Sequence, residues 1–104
     1  MNFKGSLPLL ILHTLSAGPS HGYQIAKQIK QQSQGVLDFK EGTLYPTLHG
    51  LEQQGLLEAY DVEEKGRLRR YYRLTDDGQA TLARELQAWA NYAQAVNLVL
   101  EGAS

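Results

Sequence analysis

The sequence contains no cysteine, and this absence removes several classes of protein at once. Without thiols the chain forms no disulfide framework, no thiolate metal site and no cysteine nucleophile. It also lacks a long apolar run, because the longest, Leu7–Leu12, is far short of the about 20 residues of a membrane-spanning helix. No small-residue cleavage site follows this run, so we interpret the chain as cytoplasmic, with no membrane partner.

The sequence also lacks the motifs of catalysis. The three histidines, His13, His21 and His49, fall in separate predicted helices and show no metal-ligand spacing. No glycine-rich phosphate loop accompanies them. We therefore predict that the protein is not an enzyme and holds no metal and no cofactor.

The length of 104 residues is that of one globular unit, and the net charge is −1. A chain of this size buries only about two thirds of its unfolded surface on folding, so self-association would usefully enlarge its core. Its charge is unevenly distributed, because residues 65–73 carry five cations and no acid. Such a cluster can attach to phosphate even when the whole protein is near neutral.

Two helices are predicted near the start of the chain. The first, Leu7–Leu15, has Ser6 as a candidate cap and Pro8 in its first turn, where a missing N–H costs nothing. Its leucines surround much of its circumference, so we expect it to be covered on two sides. Ser20 is the candidate cap of the second helix, which should fade near residues 33–35.

A third helix is predicted to begin within residues 41–43, since Pro46 is tolerated only near a helix start. Its expected buried stripe consists of Leu44, Leu48 and Leu51. Gly55 has the position of a left-handed C-terminal stop. Two β-prone runs, 56–62 and 69–74, follow and flank a charged tip at 63–68. Three helices followed by a hairpin make the order of a winged helix-turn-helix.

Thr75 is the predicted cap of a long last helix, in which apolar residues alternate at spacings of four and three. If it runs over 76–101 it is about 39 Å long, so it must project and find a partner. The fold class is therefore mainly α with a small β-hairpin. We expect a winged helix-turn-helix DNA-binding domain in 1–74 and a C-terminal dimerisation helix in 75–104. The predicted dimer interface comprises Leu9, Leu12, Leu82, Leu86, Trp89, Ala93, Val96 and Leu100.

Three motifs resemble those of a known family: Pro19-Ser20-His21-Gly22-Tyr23, Gly42-Thr43-Leu44-Tyr45-Pro46, and Gly66-Arg67 through Thr75 with Gly78. In this order and spacing they are similar to the PadR family of bacterial transcription regulators, in its short subgroup with a single C-terminal helix. The chain departs from many members at Leu68, where they have proline. The resemblance implies a homodimeric winged-helix repressor that binds double-stranded operator DNA and is released by a ligand or signal.

The third helix and the hairpin tip supply the candidate contacts to DNA. The helix would enter the major groove, and the tip cations would meet phosphates or a narrow minor groove. The residues are Lys40, Thr43, Tyr45, Thr47, His49, Lys65, Arg67 and Arg69. The alternative is that Tyr45 and Pro46 only pack the helix start, that His49 is a solvated surface residue, and that the hairpin is an ordinary solvated one.

Trp89 and Tyr92 also admit two interpretations. Trp89 could simply pack in a dimer interface. The resemblance implies a second role, because multidrug-binding members carry a tryptophan at a similar place; Trp89, with Tyr92, would then line a pocket for a small aromatic effector. For the whole protein the alternative function is a dimeric winged-helix protein-interaction module without operator binding. Five wing cations favour DNA over such a module.

Overall fold

The computed structural model describes residues 3–102 of the chain. Four α-helices and a small antiparallel sheet follow one another there in the order of a winged helix, as the sequence predicts. The elements are a short 3₁₀ helix at Phe3–Ser6, α1 at Leu7–Leu15, β1 at Ser20–His21, α2 at Gly22–Gln32, α3 at Glu41–Gln53, β2 at Leu57–Glu64, β3 at Arg67–Leu74 and α4 at Asp76–Leu100.

The caps of the first two helices differ from the predicted ones. Ser6 makes no capping side-chain hydrogen bond, because α1 continues directly from the 3₁₀ helix with Ser6 already in helical geometry. The cap of α2 is His21 instead of Ser20, and its Nδ1 accepts a hydrogen bond from the Gln24 backbone N–H at 3.3 Å. The helix starts later because Ser20 belongs to β1, whose backbone pairs with β3.

The sequence predicts a two-stranded hairpin, whereas the structure has a three-stranded sheet in the order β1-β3-β2. Its strands are also longer than expected, since β2 and β3 pair from Leu57 with Leu74 as far as Glu64 with Arg67. The turn between the strands therefore consists only of Lys65 and Gly66, whose φ angles of 51° and 77° are those of a two-residue type I′ turn. We call β2 and β3 with this turn the wing, and residues 65–67 its tip; the two strands stay paired up to the turn.

The core lies around α1, which is buried on two sides as its composition predicts. Its members with side chains below a tenth exposed are Leu7, Ile11, Leu12, Leu15, Ile25, Ile29, Leu44, Leu48, Leu51, Leu57, Tyr72 and Leu82. The predicted stripe of α3 is thus confirmed. Leu12, expected at the dimer interface, is 1% exposed within its own chain, so it offers no free surface to a second one.

The end of α3 and the start of α4 are tied together. Gly55 has φ of 78°, and the Leu56 N–H donates to the Leu51 carbonyl at 3.0 Å, which confirms the predicted left-handed ending. The Thr75 hydroxyl donates to the Gly55 carbonyl at 2.6 Å and accepts from the Gly78 N–H at 3.0 Å. The predicted cap of α4 therefore also anchors that helix to the body of the fold.

Helix α4 begins inside the core and then leaves it. Leu82 is 8% exposed, whereas Leu86 one turn later is 44% exposed. The first turns of α4 thus share the core of the preceding residues, and the division at 74/75 stays a prediction. The projecting helix gives the molecule extents of 62 × 29 × 22 Å. Within residues 3–102, none of the helices has the length and apolar character needed to cross a membrane.

Candidate nucleic-acid interface

The exposed face of α3 is formed by residues that lie off its buried stripe. Tyr45 is 42% exposed and His49 is exposed, whereas Thr43 and Thr47 are half-buried. The Thr47 hydroxyl donates to the Thr43 carbonyl at 2.9 Å, which leaves its oxygen available only as an acceptor. Tyr45 and His49 are therefore the more accessible of the four side chains predicted to contact bases.

The Tyr45 ring packs across the first residue of α2 while part of it stays open to solvent. A Cβ atom added to Gly22 would lie 2.7 Å from Tyr45 Cε1, closer than any carbon contact allows. Glycine at this position is thus what lets the hydroxyl end of the ring approach the backbone of α2 so closely. The two interpretations offered for Tyr45 are compatible, since the same ring fixes α3 against α2 and presents an exposed edge.

Most of the positive charge of the wing is balanced within the chain. Arg70 pairs with Glu52 at 3.1 Å, Arg69 with Glu64 at 3.7 Å, and Arg73 with Glu58. These partners lie on α3 and β2, so no local pattern in the sequence reveals them. Within the described part of the chain, neither Lys65 nor Arg67 pairs with a carboxylate.

The five wing cations favour phosphate binding less than the sequence suggests, because only Lys65 and Arg67 lack a carboxylate partner among the described residues. The wing also carries two acids of β2, Asp61 and Glu63, that pair with none of these arginines. Lys65 and Arg67 are both exposed and lie at the turn end of the ribbon. Their position, rather than the total charge of the wing, is what suits them to contact phosphate.

A polar cleft of about 270 Å³ lies between the wing and the helices α2 and α3. It brings together three of the predicted residues, Tyr45, Arg67 and Arg69, which are far apart in the sequence. Its full lining is His21, Gly22, Tyr23, Tyr45, Arg67, Leu68, Arg69 and Arg70. Leu68 is 72% exposed beside the arginines, so the site also presents an apolar side chain.

Lys40 occupies the cap position of α3 and lies apart from the wing. It donates a hydrogen bond to Asp38 at 2.9 Å, and Lys30 lies 3.6 Å from the same carboxylate. The hydrogen bond from Lys40 holds the pKa of Asp38 below its ordinary value. Lys40 therefore contributes less free charge than predicted.

The sequence reasoning missed three exposed residues of α2. Tyr23 is 64% exposed, and Lys27 and Lys30 line a second cleft, of about 330 Å³, that reaches the start of α3. The sequence does indicate a basic surface here, because residues 1–30 contain three lysines and no acid. Together with Tyr45, these residues extend the candidate surface from α3 onto α2.

The distal half of α4 carries an uncovered apolar face. Leu86, Trp89 and Tyr92 are each 40% to 44% exposed, and the rings of Trp89 and Tyr92 lie 6.1 Å apart. Ala93 and Val96 are half-buried along the same helix, and Leu100 is 76% exposed. Of the remaining residues predicted for dimer contacts, Leu9 is half-buried against the core, and Leu82 belongs to it.

Comparison with known proteins gives a consistent result. The sequence model of the "Transcriptional regulator PadR-like family" matches residues 11–84. The transcriptional regulator Rv3488 of Mycobacterium tuberculosis is 36% identical over 93 residues, covering 89% of this chain and 84% of that protein. A PadR family transcriptional regulator from Eggerthella lenta matches with a TM-score of 0.84 at 31% identity, over 95% of this chain and 85% of that one.

A second solved structure, a PadR family transcription regulator from Clostridium difficile, matches with a TM-score of 0.80 at 32% identity. The match covers 92% of this chain and 99% of that chain. The similarity therefore includes α4 as well as the winged helix. Residues 3–102 contain no group of three or more side chains that could hold a metal ion.

Proposed function

Because this chain belongs to the PadR-like family of transcriptional regulators, we propose that it is a homodimeric, sequence-specific DNA-binding repressor. Members of this family are regulators and not enzymes. The observation that carries the proposal is the cleft in which the exposed edge of Tyr45 on α3 meets Arg67 and Arg69 of the wing. A regulator of this kind acts where the chromosome is, in the cytoplasm.

In the proposed complex α3 enters the major groove, which is about 12 Å wide and admits one α-helix. Tyr45, Thr43, Thr47 and His49 face the bases and the adjacent backbone. The tip residues Lys65 and Arg67 extend past the helix to flanking phosphates, because they are the wing cations without a carboxylate partner. Phosphate contacts of this kind set position, and the contacts of α3 set sequence preference.

The second copy of the chain would pair along the distal half of α4. An uncovered face of Leu86, Trp89, Val96 and Leu100 on a projecting helix is apolar surface whose burial is favourable by roughly 25 cal/mol per Å². A two-fold axis there presents two α3 helices to one face of DNA. Their half-sites would then lie one helical turn, about 34–36 Å, or a multiple apart.

Release by a small aromatic effector is part of the proposal. Trp89 and Tyr92 form an exposed pair of rings on the dimerisation helix, against which a planar molecule can stack. Since Trp89 is the only tryptophan of the sequence, its fluorescence reports on binding there directly. Planar aromatic cations or phenolic compounds should quench it and weaken DNA binding together; quenching without a change in DNA affinity would contradict an inducer site.

The proposal is tested with a matched pair of wing variants, Arg67→Ala and Arg73→Ala, on duplex selected by the protein from random sequences. Arg67 is unpaired at the tip, whereas Arg73 pairs with Glu58 at the base of the wing. Arg67→Ala should lower affinity for most sequences alike and reduce the slope of log K against log salt by about one per subunit. Arg73→Ala should leave the slope unchanged.

If both variants remain folded dimers and keep the wild-type affinity and salt slope, the wing tip is not a phosphate contact. The protein-interaction module would then be the better account of this surface. Equal losses in the two variants would show a general effect of net charge and would contradict the proposed docking geometry.

A further inference from the structure

His21 joins the wing to the helices through both its backbone and its side chain. Its backbone lies in β1 and pairs with Tyr71 of β3. Its imidazole Nδ1 caps α2 by accepting a hydrogen bond from the Gln24 N–H at 3.3 Å. Because a ring nitrogen must carry a lone pair to accept, this cap requires His21 with Nδ1 unprotonated.

The imidazole is also surrounded by wing residues. Arg69 Nη1 lies 3.4 Å from both ring nitrogens, and Tyr71 meets the ring edge-on with centroids 5.4 Å apart. Glu64 completes the cluster, since it pairs with Arg69 and accepts a hydrogen bond from the Tyr71 hydroxyl. On the helical side Tyr23 stacks on the imidazole at 6.4 Å. Arg69 is thus held between a carboxylate and a neutral ring.

Protonation of His21 would remove the cap of α2 and the favourable contact with Arg69. The cap hydrogen bond is lost, and a cation is placed beside Arg69 and at the positive end of the α2 dipole. Burial and the nearby charge of Arg69 accordingly lower the pKa of His21, with Glu64 opposing them. Arg67 and Arg70, which line the same cleft, add further positive charge, whereas the pKa of Tyr71 is raised by its hydrogen bond to Glu64, so Tyr71 stays neutral.

We propose that His21 is a positioning residue: in its neutral form it holds the wing arginine Arg69 at the start of α2, and its protonation releases the wing and weakens DNA binding. The inference rests on the proposed function, because DNA binding is the property that the wing geometry serves. It makes operator affinity fall as the pH drops below the ordinary histidine pKa of 6.5, because the pKa of His21 is lowered from that value by burial and by Arg69. His21 does not itself have to touch DNA.

The test compares His21 with asparagine, which caps helices well and does not titrate. Affinity for the selected duplex is measured at about pH 7.5 and about pH 5.5. Both proteins carry His49→Asn, which removes the exposed histidine of α3 from the comparison. Between the two pH values the protein with His21 should lose at least about threefold more affinity than the His21→Asn protein, within the limit of about tenfold per proton and pH unit.

Two further measurements separate positioning from a general effect of pH. The Gln24 amide resonance should move with the titration of His21 and should not move in His21→Asn. His13→Asn, at the exposed end of α1, should leave the pH profile of binding unchanged.

Equal pH profiles for the two proteins, or affinity that rises at low pH only when His21 is present, would overturn the inference; the second result would mean that protonated His21 contacts phosphate. These outcomes leave the proposed function intact. Failure of the unsubstituted protein to bind duplex at about pH 7.5 would overturn both proposals.

Discussion

The winged-helix body and the distal half of α4 carry the same apolar sequence pattern. The apolar face is covered by the same chain in the body and is left exposed in the distal half of α4. In both, apolar residues recur at spacings of four and three residues. In α3 this places Leu48 at 0% exposure beneath α1, whereas in α4 it leaves Leu86 at 44% exposure. The first stripe is completed by its own chain, and the second is not. Periodicity therefore predicts that a helix face will be buried, but not which chain will bury it.

The largest effect of a substitution on stability is expected in the winged-helix body. Leu48→Ala should lower the free energy of unfolding by about 2–5 kcal/mol, because it leaves a cavity that the packed helices around it fill only in part. Leu98→Ala, on α4 and 61% exposed away from the predicted seam, should change it by less than about 0.5 kcal/mol. Denaturant unfolding at one protein concentration measures both. Equal effects would contradict the assignment of the core.

In the distal half of α4 the corresponding change should affect association and not folding. Leu86→Glu places an unpaired carboxylate on each side of a two-fold interface, at a cost of several kcal/mol. The dimer dissociation constant should rise by at least about a hundredfold, measured by sedimentation, while the circular dichroism remains helical. Gln87→Glu, next to it and off the seam, is the control of equal charge. A Leu86→Glu protein that sediments as a folded dimer at micromolar concentration would contradict the seam.

The junction between the two regions depends on close backbone contact at Gly78. A Cβ there would collide with the Leu56 carbonyl oxygen, and a backbone atom cannot turn aside as a side chain does. Gly78→Ala should therefore destabilise the chain by about 1–3 kcal/mol. Gly50→Ala, in α3 with nothing within 4 Å of the added carbon, should instead stabilise it by about 0.5–1 kcal/mol. Thermal unfolding distinguishes them, and the same sign for both would refute the close contact.

The smallest effect is expected on DNA affinity, from substitution of Tyr45 in α3. Tyr45→Ala removes a neutral contact, so it should lower affinity for the selected duplex more than for random duplex and leave the salt slope nearly intact. Tyr45→Phe keeps the ring packed on Gly22 and should separate loss of the hydroxyl from loss of packing. A change of the salt slope in Tyr45→Ala as large as that in Arg67→Ala would contradict the division of roles between α3 and the wing.

Local patterns were enough to predict α1 at its observed bounds, the buried stripe of α3 and the cap of α4. They did not predict β1, because a two-residue strand forms only through its pairing with Tyr71 and Tyr72 of β3. The tight turn was missed because Lys65 adopts a left-handed conformation that lysine seldom adopts.

The candidate site was predicted less completely than the fold. Its residue types were identified, but the balance of its charges depends on pairs such as Arg70 with Glu52, 18 residues apart in the sequence. The roles of His21 and Gly22 were missed for the same reason, because each depends on a ring contributed by another element. Spacing along the chain carries no information about such contacts.

We propose above that a second copy of the chain covers the exposed apolar face of α4, and that the resulting dimer presents two α3 helices to DNA. Selection of bound sequences from a pool of random duplexes tests it most directly. We expect enrichment of a two-fold symmetric sequence with half-sites one helical turn, about 34–36 Å, or a multiple apart, bound by one dimer. A folded dimer that enriches no sequence from the pool would contradict it.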